Sequence, residues 1–209
     1  MKNTDQYLAE IKEIRKMMEQ SSRFLSLSGL SGILVGIYAI LGAFIAYRMI
    51  YLPAPSIYRK VYPQQVLDQL ILLAAVLLLA SFITVIWLTT AKTKKSGQKF
   101  WNTGSRLLCM NLAIPLISGG ILILIFTFRG IYSLVAPFCL VFYGLALVNA
   151  AKYTRQEIFN MGLFQILLGI LSAVFPGLGL IFWALGFGLV HIIYGIVMYF
   201  RYERKTQTA

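Results

Sequence analysis

Two residues of this chain have the types that nucleophilic catalysis needs. Ser31 stands in GLSG (residues 29–32) at the start of an apolar stretch, and His191, the only histidine, stands in HIIYG (residues 191–195) inside the last one. A serine hydroxyl attacks a carbonyl when a base within hydrogen-bond reach takes its proton, and the resulting oxyanion must then meet hydrogen-bond donors. The pair is therefore the minimum for acyl transfer. The same stretch also carries Gly29, Gly32, Gly36, Ala39 and Ala43 at helical spacing, and small residues so spaced let two membrane helices approach backbone to backbone. Residue 31 points about 100° around the helix from residue 32. The expectation is a packing strip of Gly29, Gly32 and Gly36 with Ser31 off it, and a matching face on the last helix through Gly188 and Gly195.

GLSG and HIIYG resemble the catalytic pair of the rhomboid intramembrane serine proteases. The resemblance implies peptide hydrolysis within the bilayer, with Ser31 as nucleophile and His191 as base. In that family the nucleophile helix is the fourth span and enters from the extracytoplasmic side, whereas GLSG opens the first apolar stretch here. The His-to-Gly spacing differs as well, and no second-span His or Asn is present as an oxyanion donor. Rhomboid-like hydrolysis is thus a remote alternative, and the chain is expected not to be an enzyme. One histidine and no paired intramembrane carboxylate cannot make a metal site, and no glycine-rich phosphate loop implies a cofactor.

The elements that carry these residues follow from composition. Of 209 residues, 59% are hydrophobic and 12% charged, half the charge of an ordinary soluble domain. Six apolar runs, at roughly 24–46, 66–90, 107–128, 131–151, 158–175 and 178–200, are each long enough to cross a hydrocarbon core of ~30 Å. The expected fold is all-α: a polytopic bundle of six transmembrane helices in three hairpins, preceded by an amphipathic helix over 1–23 and followed by a tail over 201–209. Cys109 and Cys139 lie within apolar runs as small packing residues.

The net charge of +12 is explained by its distribution. Lys2, Lys12, Arg15, Lys16 and Arg23 precede the first run. Lys92, Lys94, Lys95, Lys99 and Arg106 fill the second loop, Lys152 and Arg155 the fourth, and Arg201, Arg204 and Lys205 the tail. Only Arg48, Arg59, Lys60 and Arg129 fall on the other side. The positive-inside rule puts both termini in the cytoplasm, so the basic excess is topogenic and nucleic acid is not an expected partner. The lipid bilayer is, with anionic lipid at the 91–106 loop, where a Lys cluster and the interfacial Phe100 and Trp101 come together.

Tyr7, Ile11, Ile14, Met18 and Leu25 share a narrow arc at 3.6 residues per turn, opposite Lys12, Glu13, Lys16, Glu19 and Arg23. Such a helix either lies in the membrane interface or pairs with a protein partner, including a second copy of the chain. On the outer side Pro53, Pro55 and Pro63 exclude a continuous helix.

Polar residues within the apolar runs are the remaining candidates. Gln165 lies 12 residues before Gly177 and His191 lies 14 after it, so their depths differ by about 3 Å and the two could hydrogen-bond. Ser28, Asn111 and Asn149 project to comparable depth, and Pro115 should kink the third helix near them. Together His191, Gln165, Asn111, Ser28 and Asn149 either serve helix packing, which uses such residues too, or outline a cytoplasm-facing polar vestibule. An ionisable group at that depth is a functional candidate by default.

The segments IRKMMEQSSRFLSLSGLSGILVGIYA and WALGFGLVHIIYG are similar to a group of small uncharacterised bacterial membrane proteins with six spans. That likeness implies a bacterial inner membrane and carries no activity. LLGILSAVFPG followed by GFGLVHIIYG resembles, more loosely, the HdeD-type acid-resistance membrane proteins. The expected function is that of a non-enzymatic integral membrane protein, a sensor, assembly or regulatory component. The competing class is a small-solute or proton-coupled transporter using the vestibule.

Overall fold

The computed structural model describes Tyr7, Glu10, Ile11, Phe24 and residues 27–51, 64–95, 97 and 100–204. Six helices are long and apolar enough to cross a membrane: α1 (Gly29–Tyr51), α2 (Gln64–Lys95), α3 (Thr103–Phe128), α4 (Tyr132–Tyr153), α5 (Gln156–Val174) and α6 (Gly179–Glu203). No strand occurs among the described residues. The architecture is that of an all-helical, multi-pass membrane protein. Most of the expected amphipathic segment over 1–23 lies outside the described residues; Tyr7, Glu10 and Ile11 are helical.

Helix bounds differ from the apolar runs because hydrogen bonding, not hydropathy, ends a helix. Helix α1 opens at Gly29 rather than near residue 24. Phe24 instead joins the end of α4: its N–H donates to the Tyr153 carbonyl at 2.7 Å, and its carbonyl accepts from the Thr154 hydroxyl at 2.9 Å. Its ring packs with Leu108 of α3 and Ala150 of α4. Helix α2 continues to Lys95, α3 starts at Thr103 behind an Asn102–Ser105 capping box, and α6 runs on to Glu203, into the expected tail.

The N-terminal ends of α1, α3 and α5 and the C-terminal ends of α2, α4 and α6 gather at one end of the bundle, here the basic end. In space the helices follow the order α2, α1, α6, then the α4–α5 pair, then α3. The α4–α5 and α1–α6 pairs are the most extensive. Both depend on glycine. A methyl group on Gly144 of α4 would lie 2.7 Å from the Gly162 carbonyl oxygen, and one on Gly162 of α5 would lie 2.8 Å from that of Gly144. Across the α1–α6 seam, a methyl on Gly29 would meet the Tyr199 nitrogen at 2.5 Å, one on Gly36 the Gly188 carbonyl at 2.7 Å, and one on Gly195 the Ile33 nitrogen at 2.6 Å. Gly32 stands opposite the Gly195 Cα.

Helix α2 packs on the other side of α1, through Leu77 against Gly42 and through Tyr38, whose hydroxyl lies 3.4 Å from that of Thr84. The most apolar stretch of α2 has no buried residue. In α3, Pro115 has no N–H to give the Asn111 carbonyl four residues back. The side-chain amide of Asn149, on α4, donates to that carbonyl at 3.3 Å, so one interhelical bond repairs the break.

Gly36→Leu is expected to cost at least 1–3 kcal/mol of stability and to abolish a monodisperse peak in detergent, since backbone on both sides of the seam must move. Gly120→Leu, at a position with open space beyond the Cα, should leave size-exclusion profile and thermal unfolding nearly unchanged.

Candidate functional site

Two buried polar residues of the membrane-spanning region, Gln165 and His191, converge on one carbonyl. Helix α6 is wound as a π-helix from Ala184 to Val190, a form that recurs at functional sites. Gly186 lies within it, and a side chain there would overlap Leu140 of α4 and the side-chain amide of Gln165. Glycine is what lets Gln165 of α5 reach the α6 backbone. Gln165 Nε2 donates to the Gly186 carbonyl at 2.8 Å, and His191 Nδ1 donates to the same oxygen at 3.0 Å. A carbonyl only accepts, so Nδ1 carries the proton and, in the neutral ring, Nε2 accepts. Its partner is the Tyr143 hydroxyl of α4 at 2.8 Å.

The imidazole also stacks on Tyr143 and Phe187, with ring centroids 5.4 and 5.8 Å away. Gln165 is 0% exposed and His191 5%. The network thus fastens α4, α5 and α6 at one depth, and both imidazole nitrogens have protein partners. Two polar atoms on the same face of α5 have none: Gln165 Oε1, facing Gly186, and Ser172 Oγ, two turns further along beside Gly179.

The other expected site residues are elsewhere. Gln165 and His191 meet through the Gly186 carbonyl and do not bond each other. Asn111 and Asn149 form the separate α3–α4 contact, where Asn111 Nδ2 donates to the Leu107 carbonyl at 2.8 Å. Ser28 lies at the mouth of α1, its carbonyl accepting from the Ser31 hydroxyl at 2.6 Å. The five residues therefore occupy three places rather than one vestibule, because shared depth does not decide which helices are neighbours. Ser31 lies off the glycine strip and is buried, on the α1 face that carries Tyr38 and Gly42 toward α2. Gly29, Gly32 and Gly36 face Gly195 and Gly188.

A charged cluster at the basic end joins α1, α2 and α6. The Glu203 carboxylate accepts from the Gly29 N–H at 2.6 Å and from Lys92 Nζ at 2.9 Å, while Lys92 also donates to the Leu27 carbonyl at 2.7 Å. An acidic group at a helix N-terminus satisfies an orphan donor and the positive end of the helix dipole. Two cavities open at the same end. One of about 520 Å³ is lined by Trp101, Asn102, Thr103, Arg106, Leu107 and Met110. The other, of about 360 Å³, lies between the start of α5 and the end of α6. Among the described residues no group of three or more His, Cys, Asp or Glu is placed to hold a metal ion.

Sequence reasoning missed Tyr143, Gly186 and the Lys92–Glu203 pair. A tyrosine midway through the apolar run VFYGLALV is a signal that could have found the first. A backbone carbonyl leaves no such signal. Comparison with protein-family models, curated proteins and solved structures gave no match.

The network fixes the histidine tautomer. Nitrogen-15 NMR of imidazole-labelled protein should show the neutral Nδ1–H form, the rarer one in water; an Nε2–H signal would contradict the assignment of the Gly186 carbonyl as its acceptor.

Proposed function

We propose that this is a non-enzymatic integral membrane protein of a bacterial inner membrane, with both termini in the cytoplasm, acting as an assembly, sensor or regulatory component. The observation that carries the reading is the full engagement of His191: Nδ1 on the Gly186 carbonyl, Nε2 on the Tyr143 hydroxyl, and the ring face on aromatic side chains. A solute- or proton-handling histidine needs a lone pair or N–H directed to its cargo, and here both are taken, Nδ1 within α6 and Nε2 across to α4. The Ser31 hydroxyl is likewise committed to the Ser28 carbonyl, and His191 to Tyr143, which supports a packing rather than a hydrolytic role for both.

The cytoplasmic assignment rests on the basic residues gathered at one end of the bundle and the positive-inside rule. Partners are expected in the plane of the membrane. The apolar length of α2 touches the protein along a single face on α1, which leaves it to lipid, to a second copy or to another membrane protein. Anionic lipid is expected at the 91–106 segment, where the larger cavity combines Arg106 and Trp101 with Leu107 and Met110.

A transporter is the competing reading, favoured by the π-winding of α6 and by the unpartnered Gln165 Oε1 and Ser172 Oγ. Purified protein in liposomes separates the two. No solute uptake or proton flux above empty vesicles is expected with or without a pH gradient; uptake that His191→Ala abolishes would overturn the proposal.

A further inference from the structure

The smaller cavity at the basic end is lined by Thr154, Arg155, Gln156, Glu157, Asn160, Arg201 and Tyr202, and its volume of about 360 Å³ falls within the range of small-ligand sites. Its charges are arranged, not scattered. One Glu157 oxygen accepts from Arg201 Nη1 at 2.9 Å and from the Tyr202 hydroxyl at 2.7 Å. The acidic charge in the cavity is thus met from within. The Arg155 guanidinium lies over the Tyr202 ring, 3.5 Å from its centroid. Cation–π attraction holds the guanidinium at that place, and a planar guanidinium fork suits a phosphate. Two arginines against one carboxylate leave the lining net positive.

The cavity's height along the membrane says which anion it meets. Helix α5 has 19 residues and so spans about 28 Å, close to the ~30 Å hydrocarbon core. Its first turn, which forms one wall of the cavity, therefore lies at the boundary between the hydrocarbon core and the headgroups, with Thr154 and Arg155 just beyond it. Deeper along the same two helices, Phe164 follows Asn160 by one turn of α5, and Val197 and Ile193 precede Arg201 by one and two turns of α6; all three are exposed. A polar cavity continuing into an apolar track has the shape of a phospholipid.

We propose that this cavity binds the phosphodiester headgroup of an anionic phospholipid, with Arg155 and Arg201 as its cationic partners and the track of Phe164, Val197 and Ile193 against its acyl chains. The site is separate from the 91–106 segment and does not depend on the protein's wider role.

Native mass spectrometry of the detergent-purified full chain, titrated with phosphatidylglycerol or phosphatidylcholine, tests this. Phosphatidylglycerol should be retained in preference, and Arg155→Gln combined with Arg201→Gln should weaken it by roughly 10-fold or more. Arg48→Gln, in the last turn of α1 at the opposite end of the bundle, should leave retention unchanged. Should the double variant fail to fold, Glu157→Gln carries the test: removing the competing carboxylate must tighten retention, and weaker or unchanged retention overturns the proposal. Equal retention of phosphatidylcholine overturns it too, as does displacement of phosphatidylglycerol by millimolar inorganic phosphate, which would make the site one for a soluble anion.

Discussion

The seam between α1 and α6 joins the first span to the last, and it is a contact of backbone on backbone. In a bilayer, apolar side chains gain little by leaving lipid for protein, so helices associate where small residues allow close approach and many dispersion contacts. Gly29, Gly32 and Gly36 on one side and Gly188 and Gly195 on the other provide that approach. The rest of the arrangement hangs from it. Helix α2 has its extensive contact with α1 alone, so the α1–α2 pair is held to the remaining four helices chiefly through α6. Glu203 closes the seam at the basic end, where one carboxylate serves the α1 N-terminus and Lys92 of α2.

Polar groups then set register where glycine has brought the helices together. Two polar contacts tie helices together: Gln165, His191 and Tyr143 across α4, α5 and α6, and Asn149 to the carbonyl that Pro115 leaves without its helical donor. An interhelical hydrogen bond in a membrane is worth only about 0.6 kcal/mol on average. Such bonds choose among packings of similar dispersion energy more than they hold the bundle together. The function proposed above follows from this: the residues with chemical potential are used for architecture.

What could be read from the sequence was whatever periodicity or hydropathy encodes. The six spans and the Gly29–Gly32–Gly36 strip follow from apolar length and from spacing along one helix face. Partners across helices do not. Gly162 and Gly169, three before and four after Gln165, turn to Gly144 and Val141 of α4 while Gln165 reaches Gly186 of α6, because α5 is packed on two sides. The polar residues split into three places for the same reason. Gly186 acts through a carbonyl that every residue possesses, and Glu203 looked like part of a solvated tail until the continuation of α6 brought it to Gly29. Ser31 was legible as off the glycine strip but not as buried, since a second neighbour, α2, covers that flank.

The order of the helices depends on the α1–α6 seam. A methyl on Gly188 would reach the Ile40 side chain at 2.6 Å, so cysteines at these two positions would have their Cβ atoms within the separation a disulfide requires. In membranes, with Cys109 and Cys139 replaced by alanine, the Ile40→Cys/Gly188→Cys protein should oxidise nearly completely to an intramolecular disulfide, read as protection from maleimide labelling with no shift to dimer mass. Free, labelled thiols under oxidant, or cross-linking only between two chains, would contradict the seam and with it the order of helices built on it.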